Sequence, residues 1–296
     1  MGNLAAAYMW RGDVGRAAAY IASSLVAAER LGSALLRTIA RLRRAILRMF
    51  EGDWEEARAD LDWIATLDEQ IEGTWVFAYP VLALGTLRFL EGNWDEAGRY
   101  LGEAVAVAGR NEDMKDMEVL RWARLRLVER DILSGQREAI ADIPGQIAPL
   151  LDRPEVREAG WHELDVSALL PRLAWAHLEL GDADRATEVA EEGVGRARAQ
   201  GHRIALADAL WVRGMVAARQ GRWEEAAAAL DEGLEVARAM PYPYAEARTL
   251  EAYGRMSLSR GEPEAARERL GAALAIFDRL GARKDAERVG QARSAL

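Results

Sequence analysis

An all-helical chain built from about seven antiparallel helix pairs, stacked as a solenoid and closed by a C-terminal capping helix, is the fold this sequence predicts. Three observations predict it. The phrase EGDWEEA at residues 51–57 returns forty residues later as EGNWDEA at 91–97. A glycine followed by a helix-starting segment recurs at Gly12, Gly52, Gly92, Gly135, Gly181, Gly221 and Gly261, with gaps of 40, 40, 43, 46, 40 and 40. Self-similarity at such a period is the signature of a repeat architecture. Between these glycines no strand-like alternation competes with helical periodicity.

Composition sets the limits. The 296 residues are 50% hydrophobic, which is enough for a large buried core. There is no cysteine, so disulfides, thiolate metal sites and cysteine nucleophiles are excluded, and a reducing, cytoplasmic setting is expected. No apolar run reaches the ~18 residues of a membrane span, and MGNLAAAYMWRGD lacks the build of a signal peptide. The net charge of −9 runs against a direct nucleic-acid partner. Of the 39 basic residues only Lys115 and Lys284 are lysine; coding bias is the plain reading and thermal adaptation the alternative.

Along the chain, each turn glycine joins two helices, because glycine takes the left-handed conformation that ends a helix without steric strain. The helix before Gly12 has only 11 residues and reads as cut or naturally short. In the second and third repeats, Asp53 with Glu56 and Asn93 with Glu96 have capping-box spacing. In the seventh, Pro263 suits a first helical position. Gly32, Gly73, Gly109, Gly201 and Gly281 fall where second helices should stop. Residues 135–171 break the rhythm: Pro144, Pro149, Pro154 and Pro171 predict a broken helix and a longer loop there, either as drift or as a hinge. Residues 282–296 form the polar capping helix. The whole, 1–296, reads as one repeat domain.

Small residues follow the same period. Ala5, Ala45, Gly85, Ala174, Gly214 and Gly254 stand seven before a turn glycine; Ala17, Ala57, Ala97, Ala186, Ala226 and Ala266 stand five after it. Two helices approach closely only where side chains are small, so these rows mark the crossing points. Ile21, Leu61, Leu101, Leu230 and Leu270, nine after the glycine, fill the next layer.

This pattern of small residue, turn glycine and alanine resembles tetratricopeptide repeats over nearly the whole chain, with the period stretched to about 40 and the usual late proline missing. Val81, Leu210 and Leu250 stand where the family has a tryptophan. The long period and the ending ARERLGAALAIFDRLGARKDAERVGQARSAL also look like the C-terminal arrays of bacterial signalling ATPases, among them LuxR-type regulators of the maltose-activator kind. The resemblance implies a non-catalytic sensor or interaction module whose first helices line a concave groove. Tyr79, Trp122, Arg126, Arg172, Trp175, Trp211, Met215, Arg219, Arg248, Glu251 and Arg255 take groove positions by that register, as do Glu129 and Asp208. Mixed aromatics, arginines and acids suit stacking on and hydrogen bonding to a ligand. The implied occupant is a protein or peptide segment or a small polar ligand; the alternative is a scaffold or dimerisation arm with no groove ligand, and self-association stays open.

No residue set names a reaction. His162, His177 and His202 share no metal-ligand spacing, and HELD at 162–165 lacks the second histidine of a zinc motif. There is no phosphate loop and no nucleophile elbow. No catalytic residue, metal or cofactor is therefore expected. Trp54, Trp94 and Trp223, two after a turn glycine, read as staples between neighbouring repeats. Arg37, Arg41, Arg44 and Arg48 form a stripe that resists the groove register. Local salt bridges, a further domain and an anion are its candidate partners.

Overall fold

The computed structural model describes residues 2–66, 74–109, 114–151 and 163–296. Every regular element among them is a helix. The chain divides into two compact units, Met1–Arg126 and Leu127–Leu296.

Unit 1 holds α1 (Gly2–Trp10), α2 (Val14–Arg30), α3 (Ala34–Glu51), α4 (Trp54–Ala65), α5 (Thr74–Leu90), α6 (Trp94–Ala108) and the first part of α7 (Met114–Ser134). Unit 2 holds the end of α7, then α8 (Arg137–Leu151), α9 (Glu163–Leu180), α10 (Ala183–Gln200), α11 (Arg203–Arg219), α12 (Trp223–Ala239), α13 (Pro243–Ser259), α14 (Pro263–Leu280) and α15 (Arg283–Ser294). Odd-numbered helices from α1 to α13 are thus first helices, even-numbered ones are second helices, and α15 is the expected terminal helix.

The seven turn glycines all have positive φ, from 69° at Gly135 to 90° at Gly52. Six of the seven turns close by one backbone device. At the turns of Gly12, Gly52, Gly92, Gly181, Gly221 and Gly261 the residue after the glycine donates its N–H to a carbonyl five back, as in Asp53 to Arg48 at 2.9 Å, Arg222 to Ala217 at 3.0 Å and Glu262 to Ser257 at 2.9 Å. At Asp53 and Asn93 this backbone bond stands without the side-chain cap expected there. Arg48 draws the Asp53 carboxylate away at 2.9 Å. Asp13 and Asp182 do cap, accepting from Arg16 and Arg185. Gly109 ends α6 in the right-handed region, at φ −73°, whereas Gly73 lies outside the described residues.

Proline does not break α8. The helix runs through Pro144 and Pro149 and buries Ile140, Ile143, Ile147 and Leu150 along one face. Packing of that stripe outweighs the missing N–H donors. Pro171 likewise sits inside α9, and Pro154 is outside the described residues.

The crossing layers are as tight as the small-residue rows require. Ala17, Ala45, Ala57, Ala97, Ala174, Ala186, Ala226 and Ala266 are completely buried. A Cβ added at Gly85, Gly214 or Gly254 would lie 2.9, 2.5 or 2.7 Å from Leu101, Leu230 or Leu270 respectively. In these three repeats the glycine seven before the turn therefore receives the leucine nine after it.

Two of the expected tryptophan staples, Trp54 and Trp94, make contacts across their own hairpin turn. Trp54 Nε1 donates to the Met49 carbonyl at 3.0 Å across its own turn, and Trp94 stacks on Phe89 at 6.3 Å. Three of the four arginines of the α3 stripe, Arg41, Arg44 and Arg48, make local ion pairs. Asp60 of α4, 4% exposed at its side chain, accepts from Arg41 at 3.0 Å and from Arg44 at 2.6 and 2.7 Å. Arg41 also lies over the Trp63 ring at 4.2 Å, and Arg48 pairs with Glu51, Asp53 and Glu56.

Candidate first-helix face

The expected groove residues divide between the units. Tyr79 on α5 and Trp122 and Arg126 on α7 belong to unit 1. Tyr79 donates its hydroxyl proton to Glu118. Arg126 is 8% exposed, with its guanidinium 5.7 Å from the Phe89 ring. Arg43 stands near Tyr79 and Glu118; burial lowers its pKa, partly opposed by those two groups.

In unit 2 the first helices α7, α9, α11 and α13 each bring one charged residue to a common point. Arg172 donates to Asp208 at 2.5 Å and lies 3.5 Å from Glu129. Arg248 bonds both Asp208 and Glu129. The four form a closed ring of alternating sign, and their side chains are 1–8% exposed. Burial works against the charge on Arg248, but the carboxylates of Asp208 and Glu129 outweigh it and hold its pKa above the ordinary guanidinium value. The Nε–H groups of Arg172 and Arg248 are buried without an acceptor among the described residues.

Aromatic rings pack on this ring of charges. The Arg248 guanidinium sits 4.1 Å from the Trp211 centroid and 5.2 Å from that of Tyr244. Trp175 meets Trp211 edge-on at 4.9 Å. Trp175 and Trp211 are only 7% and 5% exposed, so they line the interior of the face and are not open stacking surfaces. Toward the C-terminal ends of the same helices, Met215 is half-buried and Arg219 and Arg255 are exposed, with side chains 62% and 48% accessible. Arg219 lies 3.7 Å from Glu179, which also accepts from Trp175 Nε1 at 3.2 Å.

Glu251 belongs to a second cluster, one that sequence reasoning missed. Arg288 of α15 forks onto Glu251 at 2.6 and 2.9 Å and reaches Asp285 at 2.7 Å. Arg255 adds a bond to Glu251 at 3.0 Å, and Tyr244 donates to Asp285 at 3.1 Å. Burial pushes the Glu251 pKa up, yet Arg288 and Arg255 bring it net below the usual range; burial leaves Asp285 net above it. This cluster docks the terminal helix onto α13. Its signal was faint, because Arg288 and Asp285 look like the ordinary charges of a polar helix until α15 is folded back.

Among the described residues no group of three or more His, Asp and Glu could hold a metal ion, and no helix is long and apolar enough to cross a membrane.

Comparisons with known proteins follow the same architecture. The tetratricopeptide repeat model matches residues 204–279, which run from α11 to α14. A model for anaphase-promoting complex subunit 5 matches residues 47–130 and 158–213. No curated protein sequence matches the chain. A Rap protein complexed with competence and sporulation factor is structurally similar, with a TM-score of 0.61 at 11% identity, covering 89% of this chain and 75% of that one. BtubC from P. vanneervenii is similar with a TM-score of 0.52 at 18% identity, covering 77% and 92%. Identities this low speak to fold alone. Repeat match, solenoid neighbours and glycine-turned helix pairs agree: the chain is a tetratricopeptide-like helical-repeat solenoid.

Proposed function

We propose that this chain is a non-catalytic binding and regulatory module, the sensor or interaction arm of a larger bacterial signalling or transcription regulator, and that the first-helix face of unit 2 receives a protein segment. The observation that carries this reading is the graded face itself. Buried indoles and guanidinium groups (Trp175, Trp211, Arg172, Arg248) lie beneath an exposed edge carrying Arg219 and Arg255. Aromatic and arginine anchors of this kind supply most of the energy at protein interfaces. The complex formed by the similar Rap protein with its factor supports the reading by analogy of fold.

A displayed peptide library panned on the purified chain, with an Arg219→Ala/Arg255→Ala chain as counter-selection, tests it. Peptides that bind the wild type and not the double variant support the face. Peptides that bind both chains equally place binding elsewhere.

A second reading, a dimerisation arm, draws on one observation in unit 1. Val26, Leu31, Leu35 and Leu36 around the α2–α3 turn are 47%, 70%, 39% and 41% exposed. Sedimentation of the wild type against Leu31→Ser/Leu35→Ser decides it: a dimer that dissociates in the variant supports it, and a monomer in both discards it.

A further inference from the structure

In a stacked array each repeat packs against its immediate neighbours. Three sides of the charge ring obey this: Glu129 with Arg172 joins α7 to α9, Arg172 with Asp208 joins α9 to α11, and Asp208 with Arg248 joins α11 to α13. The side made by Glu129 and Arg248 does not. It joins α7 to α13, first helices three repeats and 119 residues apart. Such a contact exists only where the face curves inward. The distance it spans is set by the rotation accumulated over three repeat steps, which nearest-neighbour packing leaves soft. This one link therefore fixes how far the face is closed. It is also incompletely compensated. The Arg172 and Arg248 Nε–H groups beside it have no acceptor among the described residues, and a buried ion pair gives little net stability against its desolvation while defining geometry strongly.

We propose that the Glu129–Arg248 contact is a latch holding the first-helix face of unit 2 closed, and that an acidic protein segment enters that face when the latch opens. The proposal rests on reading that face as the binding face. Withdrawal of Glu129 leaves Arg172 and Arg248 sharing the single carboxylate of Asp208, against the Trp211 ring at 4.1 Å from Arg248. The opened face then carries one uncompensated positive charge in apolar surroundings. A carboxylate from outside restores the balance; a basic group does not.

The chain has no cysteine, so spin labels can be placed without background. Ser134→Cys on α7 and Ser259→Cys on α13 are exposed positions whose separation reports the latch. Pulsed dipolar spectroscopy should give one narrow distance with the ring intact. Glu129→Gln, which keeps shape and removes charge, should lengthen and broaden it. Arg198→Gln, which breaks the exposed pair with Glu232, should leave it unchanged. A folded Glu129→Gln chain with the wild-type distance overturns the latch. If that variant does not fold, Glu129→Asp, which withdraws the carboxylate by one methylene, is read the same way. Hexaglutamate added to the labelled wild-type ring should lengthen the distance and hexalysine should not; equal responses overturn the acidic partner. The variant distances need no partner, so the latch fails or stands on them alone. The peptide distances and the library of the previous section test the binding reading.

Discussion

Gly214→Ala should destabilise this protein, although alanine is the better helix former. Gly214 lies inside α11, where replacing glycine by alanine ordinarily contributes about 1 kcal/mol. Its added Cβ, however, would stand 2.5 Å from both Cγ and Cδ2 of Leu230. Ordinary contact starts at 3.4 Å, so the overlap is about 1 Å. Leu230 is fully buried and cannot swing into solvent. Overpacking of this kind costs about 1–3 kcal/mol, which leaves a net loss of roughly 1 kcal/mol. Gly195 is the internal control: it lies in α10, is exposed, and has nothing within 4 Å of an added Cβ. Gly195→Ala should therefore gain up to about 1 kcal/mol. Urea unfolding followed by circular dichroism should move the two midpoints in opposite directions, by about 0.5 M each. A Gly214→Ala chain as stable as Gly195→Ala would refute the crossing layer deduced from the repeat.

Three further outcomes follow from individual contacts. His202 caps α11 with Nδ1 accepting from Ala205 N at 3.1 Å, and burial lowers its pKa from 6.5 to about 4. Its folded pKa is depressed, so the stability it contributes is full above pH 6.5 and is lost as pH falls toward 4, an effect on the order of 3 kcal/mol. His202→Asn, which keeps a cap acceptor, should flatten the stability profile across that window in denaturant titrations. Arg288→Ala should cost about 1–3 kcal/mol, discounted because its side chain is 26% exposed, and hydrogen exchange should show α15 opening first. Trp211→Ala should lower stability by about 3–5 kcal/mol in thermal unfolding, since the indole is buried between Trp175 and Arg248.

Much of the fold was legible because its signals are backbone signals. A turn that needs positive φ selects glycine, and a close helix crossing selects alanine or glycine, so Gly221, Ala226 and Gly214 announce themselves at fixed spacing. Pro144 and Pro149 misled because proline reports a local tendency, while the buried isoleucine stripe of α8 decides the outcome. Asp53 misled because its cap acceptor is taken by a nearby arginine, Arg48. The first-helix register did collect Arg172, Asp208, Glu129 and Arg248 on one face. It gave no sign that they would close into a ring, since that depends on curvature summed over three repeats, a quantity no single repeat encodes. Trp175 and Trp211 looked like ligand platforms for the same reason. Arg41 and Arg44 lay off register because their partner, Asp60, sits on the adjoining second helix.

The central claim, that the first-helix face of unit 2 is the working surface, is tested most directly by calorimetric titration of a library-selected peptide into the wild type and into Arg219→Ala/Arg255→Ala. Both arginines are largely exposed, so the variant should keep its melting temperature within about 2 °C. The account predicts affinity weakened at least tenfold, about 1.4 kcal/mol, in that well-folded variant. An affinity equal to the wild type's would contradict it.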